Sequence, residues 1–131
     1  MKHSLDEIYD RLETKFFASG LNALSSDEVV VFSVATFFGQ MRDGGLVSVL
    51  SETWLVLVPF IPPSLRSIGA DEYALIADEM LSSGTKCVEA QQSDRLEALE
   101  EAFWERFYIS GESDMETVDR QLEIYAHNSG L

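Results

Sequence analysis

The chain has 131 residues, 46% of them hydrophobic, and sets 23 acids against nine bases for a net charge of −14. That hydrophobic share is ordinary for a packed globule and argues against a disordered acidic tail, and the length suits one domain that buries roughly two thirds of its unfolded surface. A field of this sign repels nucleic acid and anionic membrane and attracts basic surfaces, which argues against direct DNA or RNA binding and against a membrane partner.

The imbalance is uneven: residues 1–70 are net −3 and residues 71–131 are net −11. The one cysteine, Cys87, cannot form an internal disulfide, which fits a reducing compartment. Residues 1–7 lack the apolar run of a signal peptide. The longest apolar stretch, residues 54–61, contains Pro59 and is far too short to cross a bilayer. A soluble cytoplasmic protein is expected.

Ser4 with Glu7 makes a capping-box pattern, and Leu5, Ile8, Leu12 and Phe16 follow at helical spacing until Gly20 supplies a stop. Asp6, Asp10 and Glu13 share one side of that helix. Ser25 with Glu28 is a second box, ahead of a run over residues 29–38 rich in β-branched and aromatic side chains, for which a strand competes. The cap and the length, to about Met41, predict a helix buried on most sides. Asp43-Gly44-Gly45 is the sharpest break in the chain, two glycines that permit positive φ or close backbone approach between packed helices.

From Leu46 to about Trp54 the pattern predicts a short apolar helix, with Leu46, Val49, Leu50 and Trp54 on one face. Residues 55–61 read as extended, in the manner of a buried strand. Pro62-Pro63 rules out a helix through that point but suits the first turn of the next, a short helix ending at Gly69. Asp71 then caps a longer helix that turns Tyr73, Ile76, Ala77 and Met80 to the core and finishes at Ser82-Ser83-Gly84. Residues 85–92 read as a polar connector.

The stretch over residues 93–108 shows the most regular design. At 100° per residue, Leu96, Leu99, Phe103 and Phe107 fall within about 80° of one another as a core-facing stripe. Asp94, Glu97, Glu101 and Glu105 fall in an equally narrow band on the opposite side, while Arg95 and Arg106 lie on one flank and leave the acidic row uninterrupted. This helix is expected to end near Gly111. Ser113 with Glu116 makes a third box for the last helix, whose seam is Met115, Val118, Leu122 and Tyr125. Glu112, Glu116, Asp119 and Glu123 cluster there within about 60° of arc. The pattern predicts an all-α single domain over residues 1–131, a bundle of about seven helices.

Two stretches together resemble a known family. Asp43-Gly44-Gly45-Leu46, following a helix, is similar to the Asn-Gly-Gly-Phe turn of the bacterial DNA-mimic protein (DMP-type) family, a helical group mostly without assigned function. Residues 64–74, Ser-Leu-Arg-Ser-Ile-Gly-Ala-Asp-Glu-Tyr-Ala, resemble that family's ALxxIGA helix pair. With the acidic C-terminal helices the likeness covers roughly residues 25–127. Asp43 stands where the family has Asn, Leu46 where it has Phe and Ser48 where it has Gln. Glu52-Thr53 lies near the place of a missing Asn-Ser pair. The resemblance implies an acidic homodimer whose carboxylates imitate DNA phosphates and occupy the DNA-binding face of a helix-turn-helix regulator, and it brings no catalytic or cofactor residues.

The candidate partner-binding residues are therefore Asp94, Glu97, Glu101 and Glu105, then Glu112, Glu116, Asp119 and Glu123, with Trp104 and Tyr108 as flanking aromatic anchors. Asp43, Gly44, Gly45 and Gly69 are the structural turns. The competing account of the rows is a solvated face kept acidic for solubility. Against it stands their segregation, since ordinary surfaces mix signs and collect i,i+4 gains. For Trp104 and Tyr108 the competing account is burial against a neighbouring helix.

Enzymatic constellations are thin, and no enzyme, cofactor or metal is expected. His3 and His127 sit at opposite ends of the chain. Cys87 beside Lys86 has no nearby histidine and reads as an incidental thiol. Glu112-x-Asp114-x-Glu116 alternates like a calcium loop but lacks the loop glycine and distal glutamate, and it is better explained as the acidic start of a helix. The expected function is an acidic protein-interaction domain for a basic partner, in its most specific form a DNA mimic that blocks a transcription regulator or other DNA-binding protein. Two alternatives remain: an immunity-type inhibitor of a basic toxin or nuclease, and a helical domain binding a small molecule or metal through the Asp43-Gly44-Gly45 turn and the aromatics around Phe37, Phe38 and Trp54.

Overall fold

The structure is a computed structural model that describes residues 3–108 and 113–131, with the side chains of residues 107–108 and 113–116 outside the description. The described residues form seven α-helices and no strand: α1 Leu5–Ser19, α2 Ser26–Asp43, α3 Leu46–Val49, α4 Ile61–Ser67, α5 Asp71–Glu89, α6 Ser93–Tyr108 and α7 Ser113–Asn128. Short 3-10 turns at Leu21–Ala23 and Leu55–Phe60 join them.

The helix α2 is the centre of the bundle, and α1, α3, α4 and α7 all pack on it. Its start is the full capping box: the Ser25 hydroxyl accepts from the Glu28 N–H at 3.2 Å, and the Glu28 carboxylate accepts from the Ser25 N–H at 2.8 Å. Together these satisfy two of the N–H groups that a helix end leaves unpaired. Val31, Phe32, Val34, Phe37, Phe38 and Met41 are buried along it, so the apolar surface winds round most of the helix. This is why periodicity alone does not separate it from a strand. Ser4 likewise caps α1 through the Glu7 N–H, although the Glu7 carboxylate turns to His3 instead of closing the box.

Several expected boundaries are corrected. Residues 55–60 are not extended but wind as a 3-10 turn that runs directly into α4, with Pro62 and Pro63 in the first turn of that helix, where their missing N–H groups cost nothing. The apolar helix expected to reach Trp54 stops at Val49, yet Leu46, Val49 and Leu50 are buried as one face. Trp54 packs on the rings of Phe16, Phe17 and Phe32 at centroid distances of 5.9, 5.5 and 6.1 Å, closing the core beside α1. Such aromatic contacts are worth about 0.5–1.5 kcal/mol each beyond their burial.

The helix α5 does not finish at Ser82-Ser83-Gly84 but continues to Glu89, and Asp71 is its first helical residue rather than its cap. The connector expected over residues 85–92 shrinks to three residues, and Cys87 lies on the helix, buried. Gly84 is buried mid-helix because the chain opposite leaves no room: a Cβ there would lie 3.0 Å from Leu50, 3.2 Å from Leu46 and 3.5 Å from Leu96. The close approach of α3 and α6 to α5 offsets the roughly 1 kcal/mol that a helical glycine costs.

Between α4 and α5, Gly69 takes φ +90, and the Gly69 and Ala70 N–H groups cap the Arg66 and Leu65 carbonyls. This is a Schellman stop, and it turns Ile76, Ala77 and Met80 of α5 onto the core while Tyr73 is half-buried. In α7, Val118, Leu122 and Ala126 are buried, the Tyr125 hydroxyl donates to Asp27 of α2 at 2.6 Å, and the His127 ring meets the His3 carbonyl. The two histidines thus come together from the chain ends. Met115 and the Ser113–Glu116 box lie outside the described side chains.

Candidate protein-interaction surface

The helix α6 begins where the Gln92 carbonyl accepts the Leu96 N–H, and it lies across α5, α3 and α7. Its inner edge is apolar. Phe103 is buried and meets Phe37 edge-on at 5.7 Å, and Leu96 and Leu99 are half-buried against the core. The fourth residue of the expected stripe, Phe107, lies outside the described side chains. Burying that edge obliges the opposite one to face solvent, and Asp94, Glu97, Glu101 and Glu105 are all exposed there. Among the described residues the ion pairs are His3–Glu7, Lys15–Glu28 and Arg42–Asp43, so none of the four carboxylates has a cation partner within that set.

The cations of α6 go elsewhere. Arg95 lines a groove of about 470 Å³ against α5, together with Lys86, Gln92 and Ser83. Arg106 lines a second groove along the same seam with Asp78 and Glu79 of α5. The helix is therefore polarised across its width, cations toward α5 and carboxylates away from it. Trp104 is half-buried, with its ring edge-on to Phe103 at 5.3 Å and packed on the core, which agrees with burial against the bundle. The Tyr108 side chain lies outside the description.

The carboxylates of α7 divide differently. Asp119 and Glu123 are exposed, while Glu112 and the Glu116 side chain lie outside the described residues. Asp119 faces a groove of about 390 Å³ between α1, α2 and α7, whose rim also carries Asp6, Glu13, Arg42 and Asp43. Desolvation by the groove wall raises the Asp119 pKa above the usual carboxylate value; Arg42 opposes that shift and Asp6 adds to it. Tyr9 stands in the same groove, its hydroxyl accepting from Thr36 at 3.3 Å, and burial with the nearby Glu13 pushes its pKa up. The α1 carboxylates thus join the α7 row, a meeting that no single-helix pattern announces.

The turn after α2 is the other predicted feature. Asp43 is the last residue of that helix and is exposed, and the Gly44 and Gly45 N–H groups both reach the Gln40 carbonyl. Gly45 has φ +78. A Cβ at position 44 would strike the Ser48 side chain, whose hydroxyl donates to Gln40 across the turn. A Cβ at position 45 would strike the carboxylate of Glu100, whose Oε1 accepts the Leu46 N–H at 2.6 Å. Glu100 was not among the residues singled out from the sequence. The signal for it was its place four residues after Leu96 and three before Phe103, on the border of the buried stripe.

Fold and surface together define a small all-α domain that is strongly acidic and presents one row of exposed carboxylates. Among the described residues no group of three or more His, Cys, Asp or Glu is placed to hold a metal ion, and no helix is long and apolar enough to cross a membrane. Residues 22–131 match the sequence model of the DMP19-like protein family, and the chain belongs to that family. No curated protein and no solved structure matches it.

Proposed function

We propose that this chain is a cytoplasmic protein-interaction domain, not an enzyme, which binds a basic partner through its carboxylates. In its most specific form it is a DNA mimic that covers the DNA-binding surface of a transcription regulator or another DNA-binding protein. The observation that carries this reading is the outer edge of α6, where Asp94, Glu97, Glu101 and Glu105 are exposed with no cation partner among the described residues. A face kept acidic only for solubility has no reason to set Glu97, Glu101 and Glu105 four residues apart, like charges at the i,i+4 positions where a lysine or arginine would add a stabilising pair.

Spacing limits what one helix can imitate. Residues four apart on a helix rise about 6 Å, whereas phosphates along one DNA strand follow every 3.4 Å or so. A single row is too sparse, so the mimic draws on a second set of carboxylates, either the Asp6–Asp119 groove or the α6 row of a second copy in a homodimer. Association with the partner is fast and weakens steeply with salt.

Affinity capture from cell lysate at low salt, eluted by a salt step, tests the reading. Recovery of a DNA-binding protein that competes with DNA for this chain supports it. Recovery of no basic protein, or of one whose retention ignores salt, overturns it, and recovery of a single nuclease or toxin whose activity is inhibited replaces it with an immunity role.

A further inference from the structure

Glu100 is set apart from the other carboxylates of α6. It is half-buried on the inner border of the helix, and its Oε1 accepts the Leu46 N–H at 2.6 Å, joining parts of the chain 54 residues apart. The seat is shaped for it. Gly45, at φ +78, turns the backbone so that the Leu46 N–H faces α6, and the absence of a Cβ there leaves the space the carboxylate fills. A hydrogen bond to an ionised acceptor is about twice as strong as a neutral one.

Direction is what this contact adds. The apolar contact of Leu96 and Leu99, both only half-buried, is non-directional, whereas a hydrogen bond falls off steeply with angle. Each residue step on a helix turns about 100°, so Glu97, Glu101, Asp94 and Glu105 point roughly 60°, 100°, 120° and 140° away from Glu100. Holding Glu100 inward therefore holds those four outward.

We propose that Glu100 is the positioning residue of the interaction surface: seated on the Leu46 amide across Gly45, its carboxylate fixes the rotation of α6 and so aims Asp94, Glu97, Glu101 and Glu105 at a basic partner. This rests on the reading of that surface as a binding face, and two readouts keep the two ideas separable. The first needs no partner. Spin labels at Ser19→Cys on α1 and Ala102→Cys on α6, in a Cys87→Ala background, report the position of α6, and amide hydrogen exchange at Leu46 reports the bond itself. The second is the low-salt affinity for a synthetic poly-arginine peptide.

Glu100→Ala is expected to speed Leu46 exchange about tenfold or more, to shift or broaden the label distances, and to weaken peptide binding several-fold. Glu100→Gln removes the same charge but keeps an acceptor oxygen, and it restores most of the label distances and most of the affinity. Gly45→Ala leaves the charge unchanged and follows Glu100→Ala. Should Gly45→Ala fail to fold, the Ala and Gln variants at Glu100 carry the test. Equal loss of affinity in those two variants, or label distances that do not move in Glu100→Ala, overturns the proposal. A wild-type chain that ignores the peptide overturns the binding face alone, and distances that move with Glu100→Ala and return with Glu100→Gln still support the role of Glu100 in fixing α6.

Discussion

The α1–α2–α7 side of the molecule and the outer edge of α6 are both acidic, but they treat their charges in opposite ways. On the first, some of the carboxylates are given company. Lys15 Nζ lies 3.1 Å from Glu28, Arg42 lies 3.7 Å from Asp43, and Arg42 also moderates Asp119 across the groove. On the second, Asp94, Glu97, Glu101 and Glu105 stand exposed without a cation among the described residues, and the arginines of their own helix line the opposite seam. Compensated carboxylates belong to the stability of the fold. Uncompensated exposed ones contribute little to it, and under the proposed function they are the groups a basic partner meets.

The largest expected effect breaks or keeps that division. Reversing Glu97, Glu101 and Glu105 together to lysine should weaken a captured basic partner about a hundredfold or more at low salt and flatten its salt dependence, measured by titration at several ionic strengths. Unfolding free energy should change by no more than about 0.5 kcal/mol per site, since none of the three makes a described contact. Equal loss of binding from reversals at Asp6 and Glu13 would move the binding face to the groove.

Glu28 sharpens the comparison from the compensated side. Burial alone would raise its pKa, but the Ser25 N–H and the Lys15 ammonium outweigh that, and the net shift is downward. A lowered folded-state pKa means that the stabilisation is present above the unfolded value, about 4.3, and is lost as the pH falls through the folded one. Glu28→Ala should cost about 1–2 kcal/mol at pH 7, from the lost box and the unpaired Lys15. Denaturant titrations should show that gap closing below pH 4 or so. A gap independent of pH would mean that Glu28 acts by packing alone. Arg42→Ala, an exposed cation, should cost less, about 0.5 kcal/mol, with the loss shrinking in acid as Asp119 protonates.

What the sequence made legible follows the range of the forces involved. Local signals were enough for α2, because Ser25 and Glu28 cap it three residues apart, and for the sorting of α6, because its inward and outward residues repeat within one helix. Ser82-Ser83-Gly84 misled for the opposite reason. It has the composition of a helix end, but Gly84 is a packing residue answering Leu46, Leu50 and Leu96 on other elements. The apolar run over residues 55–60 has neither period, and only the docking of its neighbours winds it into a 3-10 turn. The seat of Glu100 was hidden in the same way, its partner lying 54 residues earlier in the chain. The meeting of Asp6 with Asp119 needs three helices in place before it exists.

The smallest expected effect lies at that meeting. The pKa of Asp119 is shifted upward, by desolvation in the groove first, with Arg42 in opposition and Asp6 adding to it. A raised pKa in the folded state makes the charged form a liability: stability is full below the unfolded value, about 3.9, and declines as the pH rises through the folded one. Asp119→Asn imitates the protonated acid, so it should match the wild type in acid and exceed it at pH 7. Because the side chain is exposed, solvent screening holds that gain to a few tenths of a kcal/mol or so. Thermal unfolding of the pair at pH 7 and at pH 3 reads the difference directly. A variant less stable than the wild type at pH 7 would make Asp119 a counter-ion that Arg42 needs rather than a carboxylate crowded by Asp6. Arg42 would then hold Asp119 as well as Asp43, and the contrast with α6 would be sharper.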